Sequence, residues 1–178
     1  MISMRWIYLF SSCCLLFLVG CASSGVVRET SRIATGTPVS LDFALVETST
    51  SFNDSKTNGQ LLNNEIVIQL RETQIFGTVS ADQTDVSSGS GIRVKVDIKE
   101  MKSVSPDART WFGGFAGRAR IAVHVTVSDL ISGKQIQTFE IEGESGASAR
   151  SGTTNEAIQR AAQLIVAEVV KISRQTSQ

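Results

Sequence analysis

Arg120-Ile121-Ala122-Val123-His124-Val125-Thr126-Val127 decides the fold. Apolar β-branched residues alternate with small or polar ones. Ile121, Val123, Val125 and Val127 therefore share one face, and Arg120, Ala122, His124 and Thr126 share the other. This period of two, held over residues 119–129, predicts a strand with one buried side. Upstream, Ile92, Val94, Val96 and Ile98 alternate in the same way with Arg93, Lys95, Asp97 and Lys99. Downstream, Ser132-Gly133-Lys134 offers a tight turn, and residues 135–143 return with Phe139 and Ile141 inward. Ile136 is out of step with that pair, which predicts a bulge near the turn. Together the three strands make an antiparallel meander with one buried face.

Helical signals flank the meander. Thr153-Thr154-Asn155-Glu156 fits a capping box, with Thr153 as N-cap and Glu156 three residues on. The helix that follows, to about Ser173, places Ile158, Ala161, Ala162, Ile165, Val169 and Ile172 on one side. Before the meander, Pro38 introduces a first strand with Leu41, Phe43 and Leu45 on one face. Residues 60–76 follow as a helix through Leu62, Ile66 and Leu70, although Val67, Ile68, Ile75 and Phe76 fall on other faces. The expected fold is α+β: a two-layer sandwich with an antiparallel sheet of about four strands and two helices on one face, in the order β-α-β-β-β-α. On the outer face, Arg93, Lys95 and Lys99 of one strand would stand diagonally from Glu140 and Glu142 of another, as a solvated charge pattern.

The N-terminus has a different character. Arg5 is the only charge among residues 1–20, and an apolar run from Trp6 to Val19 is broken only by Ser11 and Ser12. A positive start, a short apolar run and small residues at its end predict a secretory signal peptide. The run is shorter than the roughly 20 apolar residues that a membrane-crossing helix needs. Leu18-Val19-Gly20-Cys21 resembles the lipobox of bacterial lipoproteins. The resemblance implies that Cys21 is acylated, becomes the mature N-terminus and anchors the chain in a lipid bilayer. The alternative is an ordinary thiol behind an ordinary signal. Ala22, where inner-membrane lipoproteins carry Asp, implies the outer membrane, with the domain facing the periplasm. The organisation expected is a signal peptide at 1–20, a flexible tether at 21–37, one domain at 38–174 and a tail at 175–178.

Composition narrows the function classes. Cleavage removes one of the 17 Lys and Arg residues, Arg5, and none of the 17 Asp and Glu, leaving a net charge of −1. Near-neutrality argues against a nucleic-acid partner. Cys13 and Cys14 leave with the signal, so only Cys21 of the three cysteines is retained, and no internal disulfide is expected. Stability must come from burial.

One stretch of the mature chain is unusual: Trp111-Phe112-Gly113-Gly114-Phe115-Ala116-Gly117-Arg118, between the first two meander strands. Trp111, Phe112 and Phe115 could dock on an envelope protein or on lipid headgroups, or fold back over the core while the glycines permit close packing. No Gly-Lys-Ser/Thr ending marks it as a phosphate loop. The lipobox, this segment, the strand running into Asp129 and Ser132-Gly133-Lys134, and the Ala-rich last helix together resemble an uncharacterised bacterial lipoprotein family, domain of unknown function 4410. The resemblance implies a fold and a compartment, with no catalytic residues to carry over.

Chemistry is sparse elsewhere. His124 is the only histidine and shares its strand face with Arg120 and Thr126. No Gly-x-Ser-x-Gly elbow accompanies it, and a zinc site would need more His or Cys ligands than the mature chain holds. Asp82 and Asp85 lie in a polar loop without the spaced ligand series of a calcium site. The expectation is a non-enzymatic protein with no cofactor or metal, acting as a binding or scaffolding lipoprotein that contacts envelope or transport machinery. A subunit of an oligomeric assembly and an envelope enzyme with an unrecognised site are the alternatives. The sequence leaves the oligomeric state open.

Overall fold

The computed structural model describes residues 24–32, 41–50, 56–81, 90–104, 117–146 and 153–176. Its elements in chain order are β1 (Gly25–Arg32), β2 (Phe43–Thr50), α1 (Lys56–Glu72), β3 (Thr78–Ser80), β4 (Gly91–Lys102), β5 (Arg120–Asp129), β6 (Gln135–Glu144) and α2 (Thr154–Thr176). The strands form one sheet in the order β1-β6-β5-β4-β2-β3. Both helices pack on the sheet and against each other, so the fold is α+β.

The meander forms as the alternation predicts. β5 pairs antiparallel with β4 and with β6, aligning Val94 with Val127, Val96 with Val125, and Val125 with Phe139. Ile92, Val94, Val96, Ile98, Ile121, Val123, Val125 and Val127 are all essentially inaccessible. Burying each such side chain contributes on the order of 1.5–3 kcal/mol before entropy is counted. The pairing steps from Val127–Gln137 to Ser128–Gln135, skipping Ile136, which is the bulge its phase implied. Asp129 N donates to Lys134 O at 2.9 Å and Gly133 adopts φ 66°, which closes the β5–β6 turn.

Three expectations about the sheet need correction. It has six strands, not about four, and the order is β-β-α-β-β-β-β-α. It is mixed, not antiparallel, because β2 runs parallel to both β3 and β4 with α1 as the crossover. Residues 25–32, expected within the tether, form β1, paired antiparallel with β6. That strand has no alternating pattern to announce it. Val27 is half-buried against the core while Val26, Arg28, Glu29 and Ser31 are exposed, so backbone pairing holds it more than burial does.

Boundaries and faces also shift. α1 begins and ends four residues earlier than predicted. Gln74 takes a left-handed φ of 54° just beyond the helix, which frees Phe76 to enter the core and Thr78 to start β3. In β2 the core face is Ala44 and Val46, one residue out of phase with the expected Leu41, Phe43 and Leu45. Phe43 and Leu45 are nonetheless buried on the opposite side, so this internal, parallel strand reads as a continuous apolar run without a phase. α2 extends through Thr176, into the segment expected as a tail. It buries every residue predicted for its inner face, with Ala157 and Val166 besides. Its cap is as expected, with Glu156 N donating to Thr153 Oγ1 at 3.2 Å, and the Glu156 carboxylate also accepts from Gly146 N at 3.0 Å.

Candidate functional site

The helices cover one face of the sheet, and the other carries the polar half of each alternation. Register aligns those residues in rows across the strands. One row runs Ser49, Asp97, His124, Glu140 and Arg28, from β2 through β4, β5 and β6 to β1. His124 is thus flanked by a carboxylate on each neighbouring strand. The next row is Glu47, Lys95, Thr126, Thr138 and Ser31, closed at its β1 end by a hydroxyl–hydroxyl hydrogen bond of 2.6 Å between Ser31 and Thr138.

The ion pairs differ from the diagonal arrangement expected. Arg93 faces Glu47 of β2 at 3.7 Å, and Lys95 lies 4.0 Å from Asp97 on its own strand. Glu142 pairs with Arg120, and Glu144 with Arg118 at 3.3 Å. The hydrogen bond that Arg120 donates to Glu142, against a smaller opposing effect of desolvation and aided by the charges of Glu142, Glu100 and Glu144, raises the Arg120 pKa, so its charge is fixed. Each exposed pair adds little to stability, at most about 1 kcal/mol. Their effect is to fix a patterned, near-neutral surface.

Within that face is a shallow depression of about 160 Å³. Ala122 makes it, being the one short side chain among Val26, Arg28, Lys99, Glu140 and Glu142. A pairing irregularity between Ile98 and Glu100 sets Lys99 at its rim. Such a recess, with both signs of charge around an apolar floor, can receive a small protruding side chain of a partner. Among the described residues, no three His, Cys, Asp or Glu side chains are grouped to hold a metal ion. No described helix is long and apolar enough to cross a membrane.

Cys21, Trp111, Phe112 and Phe115 lie outside the described residues, as do Asp82 and Asp85. What the sequence did not disclose is the part played by Val26 and Arg28. They belong to a strand whose only sequence sign is a short Val-Val pair in a polar stretch.

The fold has relatives among solved structures. PelC from Paraburkholderia phytofirmans, solved as a dodecamer, is 16% identical with a TM-score of 0.52, over 80% of this chain and 96% of its own. Protein XCC0632 from Xanthomonas campestris, of the DUF330 family, is 12% identical with a TM-score of 0.53, over 83% of this chain and 97% of its own. At these identities the likeness is one of fold. No curated protein matches this sequence. The family model for the domain of unknown function DUF4410 matches residues 30–149, more than half of the chain, and the chain belongs to that family.

Proposed function

We propose that this protein is a lipid-anchored binding or scaffolding domain of a bacterial envelope, held by Cys21 in the outer membrane and facing the periplasm. The observation that carries the binding role is the open sheet face. Among the described residues, five strands align mostly exposed or half-exposed polar side chains there, around a recess at Ala122, with neither α1 nor α2 packed over them. A fixed array of paired charges suits recognition of a protein surface, because wrong partners meet unpaired charge while the right one meets complementary charge. The role is non-enzymatic, and the anchor rests on the lipobox-like Leu18-Val19-Gly20-Cys21. Affinity purification of the lipidated protein, comparing wild type with Ala122→Arg, tests the face. A partner captured by wild type and lost from the variant supports it. An unchanged set of partners counts against it.

A second reading, that the chain assembles with copies of itself, is favoured by the fold it shares with PelC, a dodecamer. Among the described residues the sheet ends at β1 and β3, and β1 is the longer edge to which a copy could add. Light scattering on the detergent-extracted protein decides it. A strictly monomeric species across concentrations removes the reading.

A further inference from the structure

The elements that end or begin near Gly25 define one end of the domain. Gly25 is in register with Gly143 of β6, and Glu144 N donates to Ser24 O at 2.9 Å. Arg120, the first residue of β5, pairs with both Glu144 and Lys102, the last residues of β6 and β4. Glu156 of the first turn of α2 accepts from Gly146 there as well. The β5–β6 turn around Ile131 closes the opposite end, about 30 Å away along a ten-residue strand.

Only Ala22, Ser23 and Ser24 stand between Cys21 and Gly25. Even fully extended, that link reaches about 14 Å. A link this short holds Gly25 within about 14 Å of Cys21, and so rules out the inverted arrangement in which the Ile131 turn meets the bilayer and Gly25 stands about 30 Å above it. We infer that the end carrying Gly25, Lys102, Arg118, Arg120 and Glu144 faces the phospholipid headgroups, with the Ile131 turn pointing away. This rests on acylation of Cys21. The chemistry of that end suits the position. Lys102 is exposed, and Arg118 and Arg120 are paired with Glu144 and Glu142, so charges of both signs meet the zwitterionic headgroup layer. Both edges of the sheet then point sideways, along the membrane plane, where neighbouring anchored proteins lie.

The mature chain has no thiol other than the acylated Cys21, so one introduced cysteine is a unique labelling site. Ser103→Cys and Ile131→Cys both replace exposed side chains, at the near and far ends. Lys102→Cys is a second near-end position should Ser103→Cys fold poorly. Each lipidated full-length variant is labelled with a fluorophore and reconstituted into phosphatidylethanolamine–phosphatidylglycerol vesicles carrying headgroup-attached quencher. Several-fold stronger quenching at the near end supports the inference. Equal quenching, or stronger quenching at position 131, overturns it. Mass spectrometry of the same samples separates the two layers. An unacylated Cys21 overturns the anchor reading and this inference with it, whereas an acylated chain with reversed quenching overturns the orientation alone.

Discussion

Glu144 and Ser24 are joined by a backbone hydrogen bond of 2.9 Å from the amide of the first to the carbonyl of the second, across 120 residues of chain. That bond, reinforced by the Ser24 hydroxyl donating to Glu144 Oε2 at 3.0 Å, is where the N-terminal segment joins the sheet. It converts about half of an expected tether, residues 25–32 of 21–37, into structure. β1 nevertheless differs from the rest of the sheet, because its partner β6 lies on one side only and most of its side chains are exposed.

Hydrogen exchange should register that difference. Amides of β5, with a strand on each side and a buried face, should open only with the whole domain, while those of β1 open locally. Mass spectrometry of exchanged peptides should show β1 exchanging orders of magnitude faster than residues 121–127. Equal protection would mean that β1 folds as one cooperative unit with the core.

How much of this was legible follows from what each strand buries. Val123, Val125 and Val127 face the core alternately, so period two announced β5 and its neighbours, and Ala161, Ile165 and Val169 announced α2. β1 buries almost nothing beyond Val27 and is made by ladder hydrogen bonds, which leave no hydrophobic pattern. β2 buries Phe43 through Val46 in succession, so its two faces cannot be told apart from hydropathy. On the open face, His124 fell on the predicted side. Its flanking by Asp97 and Glu140, and the pairing of Glu142 with Arg120, depend on register, which the bulges in β4 and near Ile136 set.

At Gly143 the backbone of α2 lies directly against the sheet. A Cβ there would lie 2.5 Å from Ala157 O and 2.8 Å from Ala161 N, both helix backbone atoms that cannot rotate away. Gly143→Ala should force α2 off β6 and cost about 1–3 kcal/mol. Chemical denaturation should show a lower midpoint. A midpoint equal to wild type would show that the helix shifts freely.

Arg71 ties the last turn of α1 to β3, with Nε and Nη2 donating to Val79 O at 3.0 and 2.7 Å. β3 is three residues long and lies at a sheet edge, so this fork is a large share of what holds it. Arg71→Ala should cost about 1 kcal/mol and speed exchange in residues 78–80. Arg71→Lys should recover only part, because an ammonium cannot present two donors in a fixed fork. Full recovery by lysine would reduce the role of Arg71 to its charge.

Asp129 shapes the β5–β6 turn and gives it a pH dependence. The Ser132 hydroxyl and amide donate to its Oδ1 at 2.6 and 2.7 Å, and these bonds, with one from the Ile131 backbone, hold the carboxyl below its ordinary range against a small opposing effect of burial. The folded protein therefore binds this proton more weakly than the unfolded chain does. The stability contributed is fully present above the unfolded carboxylate pKa of about 3.9, and is lost as pH falls through the lower folded value. Asp129→Asn removes the charge and should be less stable by about 1 kcal/mol near neutral pH. That gap should stay level down to about pH 5 and then close as the wild-type carboxyl protonates. Thermal denaturation of both proteins across this range checks it, and a gap that widened in acid would reverse the sign assigned to Asp129.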